Sequence, residues 1–276
     1  MLAPDRIAGL YRAACLTELD ALKVGNVHAY AAGHRMKVAD FARSAEVSAG
    51  PLARDGAGVG ARVLAGVAAT RAAVGQNTNL GILLLCAPLA RAAETGASLA
   101  AVLGGLDAGD ARDVFAAIRL ASPGGLGEAP RYDVTAGDAP PPLAAAMAEA
   151  AHRDRIARAY GTEFRDLREV GLPALEAAGA AGLDEPWCAS AVHLAYLAAF
   201  PDSHILRKHG PEVAEAIRAE AAALRGRIDM AARPVAELLA FDGALKTRSI
   251  NPGTSADFTV ATLFWRALTG AGAILA

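Results

Sequence analysis

Aromatic residues make up only 5% of this 276-residue chain, and cysteine occurs just three times. Cys15, Cys86 and Cys188 lie far apart inside apolar helical patterns, which suits reduced core thiols better than a disulfide framework or metal knuckle. β-Branched and aromatic runs with period-2 alternation are almost absent, so no segment reads as a strand. An excess of one charge is also lacking: 27 Lys and Arg against 29 Asp and Glu leave −2, without the basic stripe that nucleic acid needs. Long hydrophobic runs are missing too. The longest, Leu80 to Ala90, contains Gly81 and Pro88 and is about half of the ~20 residues a membrane span requires. It reads as a buried helix, and no membrane association is expected. The N-terminus has no basic start leading into an uninterrupted apolar stretch, so no secretory signal is expected and the protein should stay in the cytoplasm. Zinc-ligand spacing, a Walker-type loop and Gly-x-Ser-x-Gly are all absent. Gly124-Gly125-Leu126-Gly127 follows no strand and reads as a flexible turn.

What the chain has is alanine and leucine, which carry the hydrophobic share to 54% and favour closely packed helices. The fold class is therefore all-α. No charged or Ser-rich linker divides the sequence, so a single compact multi-helix domain over residues 1–276 is expected. The Ala-rich helix faces leave room for a homodimer.

Helical periodicity runs from Pro4 to Leu22, with Glu18 on the same stripe as Ile7, Leu10, Tyr11, Ala14 and Ala21, so that an acid faces inward. A polar turn, Lys23 to His28, leads into Gly33-His34-Arg35-Met36. Further helices are expected from about Asp40, with Phe41, Ser44, Ala45 and Ser48 on one face, and over Gly60 to Val74. Gln76 to Asn79 interrupts the pattern before the Leu80 helix, which Thr78 or Asn79 is placed to cap. Leu99 to Leu103 and Ala108 to Leu120 follow. Ser122 to Pro142, rich in Gly and Pro, is expected to be a mobile loop near the site. Pro142 should open one helix reaching about Tyr160. Trp187 to Phe200 should be a buried helix, and Pro211 to Met230 an amphipathic one. Pro234 to Leu239 reads as helical, Lys246 to Thr254 as a polar loop, and Ser255 to about Leu268 as the last helix.

Four polar clusters stand out, each at a helix end: Glu18 with Lys23 to His28, Gln76 to Asn79, Asp202 to Gly210, and Asn251 to Asp257. Helix N-termini present free N–H groups and partial positive charge, so several together suit phosphate without a basic run. Carboxylates beside them suit Mg²⁺, which takes one or two protein oxygens and shares the substrate's phosphates. Bland readings stand beside these. Thr254 and Asp257 have capping-box spacing, Asp202 suits a turn, and His204 and His209 suit exposed positions. Glu18 also suits a buried ion pair with Arg12, Lys23 or a distant base.

In order along the chain, these clusters resemble the triphosphoribosyl-dephospho-CoA synthase family. The pieces are Glu18 with Lys23-Val24-Gly25-Asn26-Val27-His28, then Gly33-His34-Arg35-Met36 and Asn77-Thr78-Asn79-Leu80-Gly81. Asp202-Ser203 with Arg207 and Gly210, and Asn251-Pro252-Gly253-Thr254-Ser255-Ala256-Asp257, complete the set. The resemblance implies a transferase that breaks the N-glycosidic bond of ATP, releases adenine and attaches a triphosphoribosyl unit to a hydroxyl of dephospho-CoA. It implies Glu18, Asp202 and Asp257 as metal or charge-stabilising groups around Mg²⁺, with one of them or His28 as base. Lys23, Asn26, His34, Asn77, Thr78, Asn79, Ser203, Arg207, Asn251, Gly253 and Ser255 are the implied substrate and phosphate contacts. Tyr30, Tyr132 and Trp187 are candidate adenine stackers.

This chain departs from the family pattern in three places. It has Asn79-Leu80 where the synthases have His-Lys, Val24 for Pro, and His28 for Asp. The lost cation admits a donor with another phosphate load. Similar sequences occur in organisms that make tetrahydromethanopterin, whose side chain carries an α-linked ribose 5-phosphate. A phosphoribosyltransferase of that pathway is thus a second reading, and a catalytically silent nucleotide-binding helical protein a third.

Overall fold

The computed structural model describes residues 1–28, 37–123, 131–134 and 141–275. His34 with its neighbours, Tyr30, Gly124 to Gly127 and much of the loop expected between Ser122 and Pro142 lie outside the described residues. Among those described there is no β-strand, in keeping with the scarcity of β-branched alternation. The chain forms two compact units, each gathered from segments distant in sequence, which is why no linker marks a boundary.

The first unit comprises Met1–Ala13, Asp40–Phe164 and Phe264–Ala276. Its helices are drawn from α1 (Pro4–Asp20), α2 (Val38–Leu52), α3 (Val59–Val74), α4 (Leu80–Thr95), α5 (Leu99–Gly104), α6 (Ala108–Ala121), α7 (Leu143–Ala150) and α8 (Arg155–Gly161). Gly75 and Gly96, both left-handed, stop α3 and α4, and their N–H groups return to Arg71 and Ala92 carbonyls. Asp107 and Asp110 form a capping box that starts α6. Glycine lets α3 and α6 touch: a Cβ at Gly60 would lie 2.5 Å from the Asp110 carbonyl oxygen. The apolar run is the buried α4, and Cys86 within it is a free thiol, as are Cys15 and Cys188. On α2, Ser44, Ala45 and Ser48 are buried as their spacing predicts.

The helix expected from Pro142 to Tyr160 is instead two, α7 and α8. Asp154 breaks it, because its carboxylate accepts the Ile156 N–H at 2.8 Å and the Ala157 N–H at 3.1 Å and so caps a new helix.

The second unit comprises Ala14–Ala39 and Arg165–Leu263. A π-turn over Leu167–Gly171 leads into α9 (Leu172–Ala180), followed by α10 (Glu185–Ala199), α11 (Ser203–His209), α12 (Pro211–Arg227), α13 (Val235–Thr247) and α14 (Gly253–Gly270). Pro186 and Pro211 occupy first-turn positions of α10 and α12, where a missing N–H costs nothing. Leu22, Val24, Leu194, Leu197, Ile217, Leu224, Leu238 and Leu245 pack into one core, each side chain worth about 1.5–3 kcal/mol of burial. At Gly171 the backbone passes beside Tyr196, whose hydroxyl sits 2.7 Å from Thr262 Oγ1.

Boundaries here differ from the expectation: α10 starts at Glu185 rather than Trp187, and α12 ends at Arg227 rather than Met230, where a separate short turn over Met230–Ala232 begins. α13 runs on to Thr247 rather than stopping at Leu239, and α14 begins at Gly253 rather than Ser255. Lys246, read from sequence as the start of a polar loop, pairs with Asp242 one helical turn back and so belongs to α13.

Candidate active site

After α1 the chain turns through residues 21–28, all of them buried. Gly25 makes this turn possible. It has φ +77°, and a Cβ there would lie 2.8 Å from Pro252 Cδ and 2.9 Å from Leu245 Cδ1. Lys23, only 1% exposed, pairs its ammonium with Glu18 Oε1 and donates to Asn26 Oδ1 at 3.2 Å. Asn26 Nδ2 in turn donates to Asn251 Oδ1 at 2.8 Å, so the first and last polar clusters of the sequence meet. Of the partners named for Glu18 from sequence, Lys23 is the one found. Burial pushes the Glu18 carboxyl up and the Lys23 ammonium down, and each draws the other partway back. Half-buried Asp257 also supports the Lys23 charge, whereas Lys246 opposes it.

Three residues absent from the sequence candidates join this cluster. Asp242 Oδ1 accepts the Gly25 N–H at 2.8 Å and faces His28 Nε2 at 3.3 Å. Asp242 Oδ2 accepts Lys246 Nζ at 3.0 Å. Burial would raise the Asp242 pKa, but hydrogen bonds from His28, Lys246 and Gly25 outweigh it and hold the group below the usual carboxylate range. His28 is fully buried against Asp242 and Lys246, the latter 3.3 Å from its Nε2. His193, on the buried α10, places Nε2 3.3 Å from the Val24 carbonyl. Burial, then the nearby Lys23 charge, pushes its pKa down to about 3, so it is neutral near pH 7 and donates to that carbonyl. The i,i+4 spacing of Asp242 and Lys246 was the available signal. A lone His in an apolar helix offered none.

Asp202 is fully buried and ends as the cap of two helices. Oδ1 accepts the N–H groups of His204 at 2.9 Å and Ile205 at 3.2 Å at the start of α11. Oδ2 accepts the Ser255 N–H at 2.7 Å and its hydroxyl at 2.8 Å at the start of α14. Thr254, which has capping-box spacing with Asp257, lies inside the first turn of α14 rather than before it; Asp202 takes the Ser255 amide there, and Thr254 Oγ1 accepts the His204 N–H at 3.1 Å. Burial raises the Asp202 pKa, with the Ser255, Ile205 and His204 donors pulling it back. Ser203 and Asn251 are buried, and Arg207 and Gly253 half-buried, on the same unit.

Asn77, Thr78 and Asn79 belong to the first unit. Asn77 Oδ1, rather than Thr78 or Asn79, accepts the Leu80 N–H at 3.2 Å. Thr78 Oγ1 lies 2.6 Å from Ser44 Oγ, and Asn79 Nδ2 donates to Ser48 Oγ and Thr70 Oγ1 at 3.2 and 3.0 Å. Asn79 is drawn inward by these hydroxyls, which leaves the helix start to Asn77. Of the candidate stackers, Trp187 is buried with the Arg233 guanidinium 6.0 Å from its ring, and Tyr132 is exposed. Among the described residues, no three His, Cys, Asp or Glu side chains converge as a metal-holding group. No described helix is long and apolar enough to cross a membrane.

Residues 4–274 match the family described as CitG, ATP:dephospho-CoA triphosphoribosyl transferase. No curated protein matches the sequence. A crystal structure from Archaeoglobus fulgidus, of a protein provisionally named a triphosphoribosyl-dephospho-CoA synthase, is similar in fold, with a TM-score of 0.61. The two share 21% identity over 82% of this chain and 97% of that one.

Proposed function

Because this chain belongs to the ATP:dephospho-CoA triphosphoribosyl transferase family, we propose that it breaks the ribose C1′–N9 bond of ATP and joins the triphosphoribosyl unit to a hydroxyl of dephospho-CoA. Adenine leaves with the bonding electron pair and gains a proton; the acceptor oxygen bonds C1′ and loses one. The observation that carries this reading is the buried Glu18–Lys23–Asn26–Asn251 chain of contacts, which joins two of the family's polar segments across 225 residues.

In this reading Glu18 takes the acceptor's proton, since burial has raised its proton affinity and Lys23 fixes one of its oxygens. Lys23, Asn26 and Asn251 hold phosphate oxygens. The three carboxylates differ in their fit to Mg²⁺. All of Asp202's acceptor capacity is spent on four donors, and one oxygen of Glu18 is taken by the Lys23 ammonium. Asp257, half-buried on α14 at the end of the family's Asn251–Asp257 segment, is the carboxylate this reading assigns to a metal shared with the triphosphate, in keeping with magnesium's use of one or two carboxylates plus phosphate. Bound there, Mg²⁺ would neutralise the phosphate charge and orient the chain. The homodimer belongs to the same proposal, and light scattering at twice the 28.1 kDa monomer mass would support it.

The test is to incubate the protein with Mg²⁺ and either ATP plus dephospho-CoA or phosphoribosyl pyrophosphate plus the arylamine ribitol precursor of tetrahydromethanopterin, and to weigh the products. A triphosphoribosyl adduct with free adenine supports the reading. Leu80, buried at the first turn of α4 where the synthases carry Lys, favours the second donor pair as the alternative. A single phosphoribosyl increment would establish it, and no turnover with either pair would overturn both.

A further inference from the structure

The turn over residues 23–28 has little structure of its own. Among the described residues its internal hydrogen bonds all involve Asn26, whose N–H donates to the Lys23 carbonyl at 3.1 Å and whose Oδ1 accepts the Val27 N–H at 2.8 Å and Lys23 Nζ at 3.2 Å, and Gly25 sits in the left-handed region. Its shape therefore depends on anchors from elsewhere in the second unit. His193 meets the Val24 carbonyl and Asn251 meets the Asn26 side chain, both neutral contacts. A further anchor is a charged one. Lys246, one helical turn along α13, holds Asp242 Oδ2, which leaves Oδ1 aimed at the Gly25 N–H and at His28. A carboxylate bonded to a backbone N–H makes a stronger contact than a neutral acceptor, and this one grips the turn at its middle and at its end.

We propose that Asp242 is a positioning residue of the transferase site, holding the 23–28 turn in the shape that presents Lys23 and Asn26 to the triphosphate. The inference rests on the proposed function, because it takes Lys23 and Asn26 as phosphate contacts. Asp242 itself touches no substrate and acts through Gly25 and His28. Its carboxylate remains ionised near neutral pH because the three donors outweigh its burial.

Two variants separate positioning from bulk stability. In Asp242→Asn the side-chain carbonyl still accepts the Gly25 N–H, but the charge that engages His28 and Lys246 is gone. Asp242→Ala removes the anchor. The probe is inorganic triphosphate with Mg²⁺, titrated calorimetrically below each variant's melting temperature, with the kinetic constants for ATP and for dephospho-CoA measured alongside. Loss of one charged hydrogen bond's worth of organisation predicts about tenfold weaker triphosphate binding in Asp242→Ala and about threefold in Asp242→Asn. The KM for ATP should rise in step while that for dephospho-CoA stays put. A triphosphate Kd within twofold of the parent in both folded variants, with only the melting temperature lowered, would overturn the proposal. Should the alanine variant not fold, the asparagine variant decides alone. Lys23→Met run in the same titration isolates the underlying reading. Weak binding there with normal binding in the Asp242 variants sinks the positioning role only. A parent protein that binds no triphosphate, or a Lys23→Met protein that binds it normally, sinks the site assignment as well.

Discussion

Replacing Asp202 with alanine withdraws one buried carboxylate from four donors at once. The His204 N–H keeps Thr254 Oγ1 at 3.1 Å as a second acceptor, and the Ser255 hydroxyl is free to rotate. The Ile205 and Ser255 amides, buried at the starts of α11 and α14, have no such substitute among their contacts. Each stranded amide costs about 1–3 kcal/mol. Because both helix ends share one acceptor the losses do not simply add, and about 4 kcal/mol is expected for Asp202→Ala. That corresponds to a melting temperature lower by roughly 10 °C in a chain of this size. Asp202→Asn keeps an acceptor for α11 but turns an amide N–H₂ toward the Ser255 N–H, and should lose about half as much. The assay is urea unfolding at pH 7 in the presence of chelator, so that no metal contributes to stability. The same assay distinguishes the opposite role. A carboxylate kept for binding a cation is a burden to the metal-free fold, and its removal would leave stability unchanged or raise it. A loss below about 1 kcal/mol in Asp202→Ala would refute the double-cap account.

Other outcomes follow from the same geometry. Lys23→Met leaves Glu18 buried without its counter-charge and should cost about 3–5 kcal/mol, whereas Lys23→Met combined with Glu18→Leu should recover most of it. Equal losses in the single and double variants, measured by thermal unfolding, would disprove the buried pair. His193 carries a folded-state pKa near 3 against 6.5 for the free group, so the unfolded chain binds the extra proton between these values. Stability is thus complete above pH 6.5 and declines as pH falls, by about 1.4 kcal/mol per unit from this residue. His193→Gln should flatten that acid limb between pH 6.5 and 4, and parallel pH profiles for the two proteins would contradict the assignment. Gly25→Ala meets both an unfavourable φ and the Pro252 and Leu245 side chains. It should cost about 1–3 kcal/mol and weaken triphosphate binding, and an unchanged melting temperature would show that the turn is not confined as described.

Helix positions were legible where their signals are local, and α9 (Leu172–Ala180) was not among those read. Alanine and leucine at 3.6-residue spacing, with Gly75 and Gly96 as stops, are visible without tertiary information, and α3 and α4 follow them. The α7–α8 break was hidden because Asp154 sits in a charged run at helical spacing, where a cap and a solvent-facing residue look alike. The site divides along the same line. Half of Asp202's role, the grip on His204 and Ile205, is a two- and three-residue relation that marks any N-cap. The other half reaches Ser255, 53 residues away, and only packing reveals it. Asp242 lies further beyond reach, its partner Gly25 being 217 residues distant. One sequence carries no trace of such a pairing, and the polar character of Lys246 pointed to a loop instead.

The long span between Asn26 and Asn251 has a consequence during synthesis. At ribosomal rates of about 5–20 residues per second, the Lys23 turn emerges roughly 10 to 45 s before its partner does, given the 225 residues between them. Throughout that interval the Glu18 and Lys23 charges have no reason to leave water, and the glycine turn has no template. The nascent chain therefore carries its most polar core segment unburied until α13 and α14 are made, and a ribosome halted before Asp242 would hold a chain in which that segment is open to proteases and chaperones.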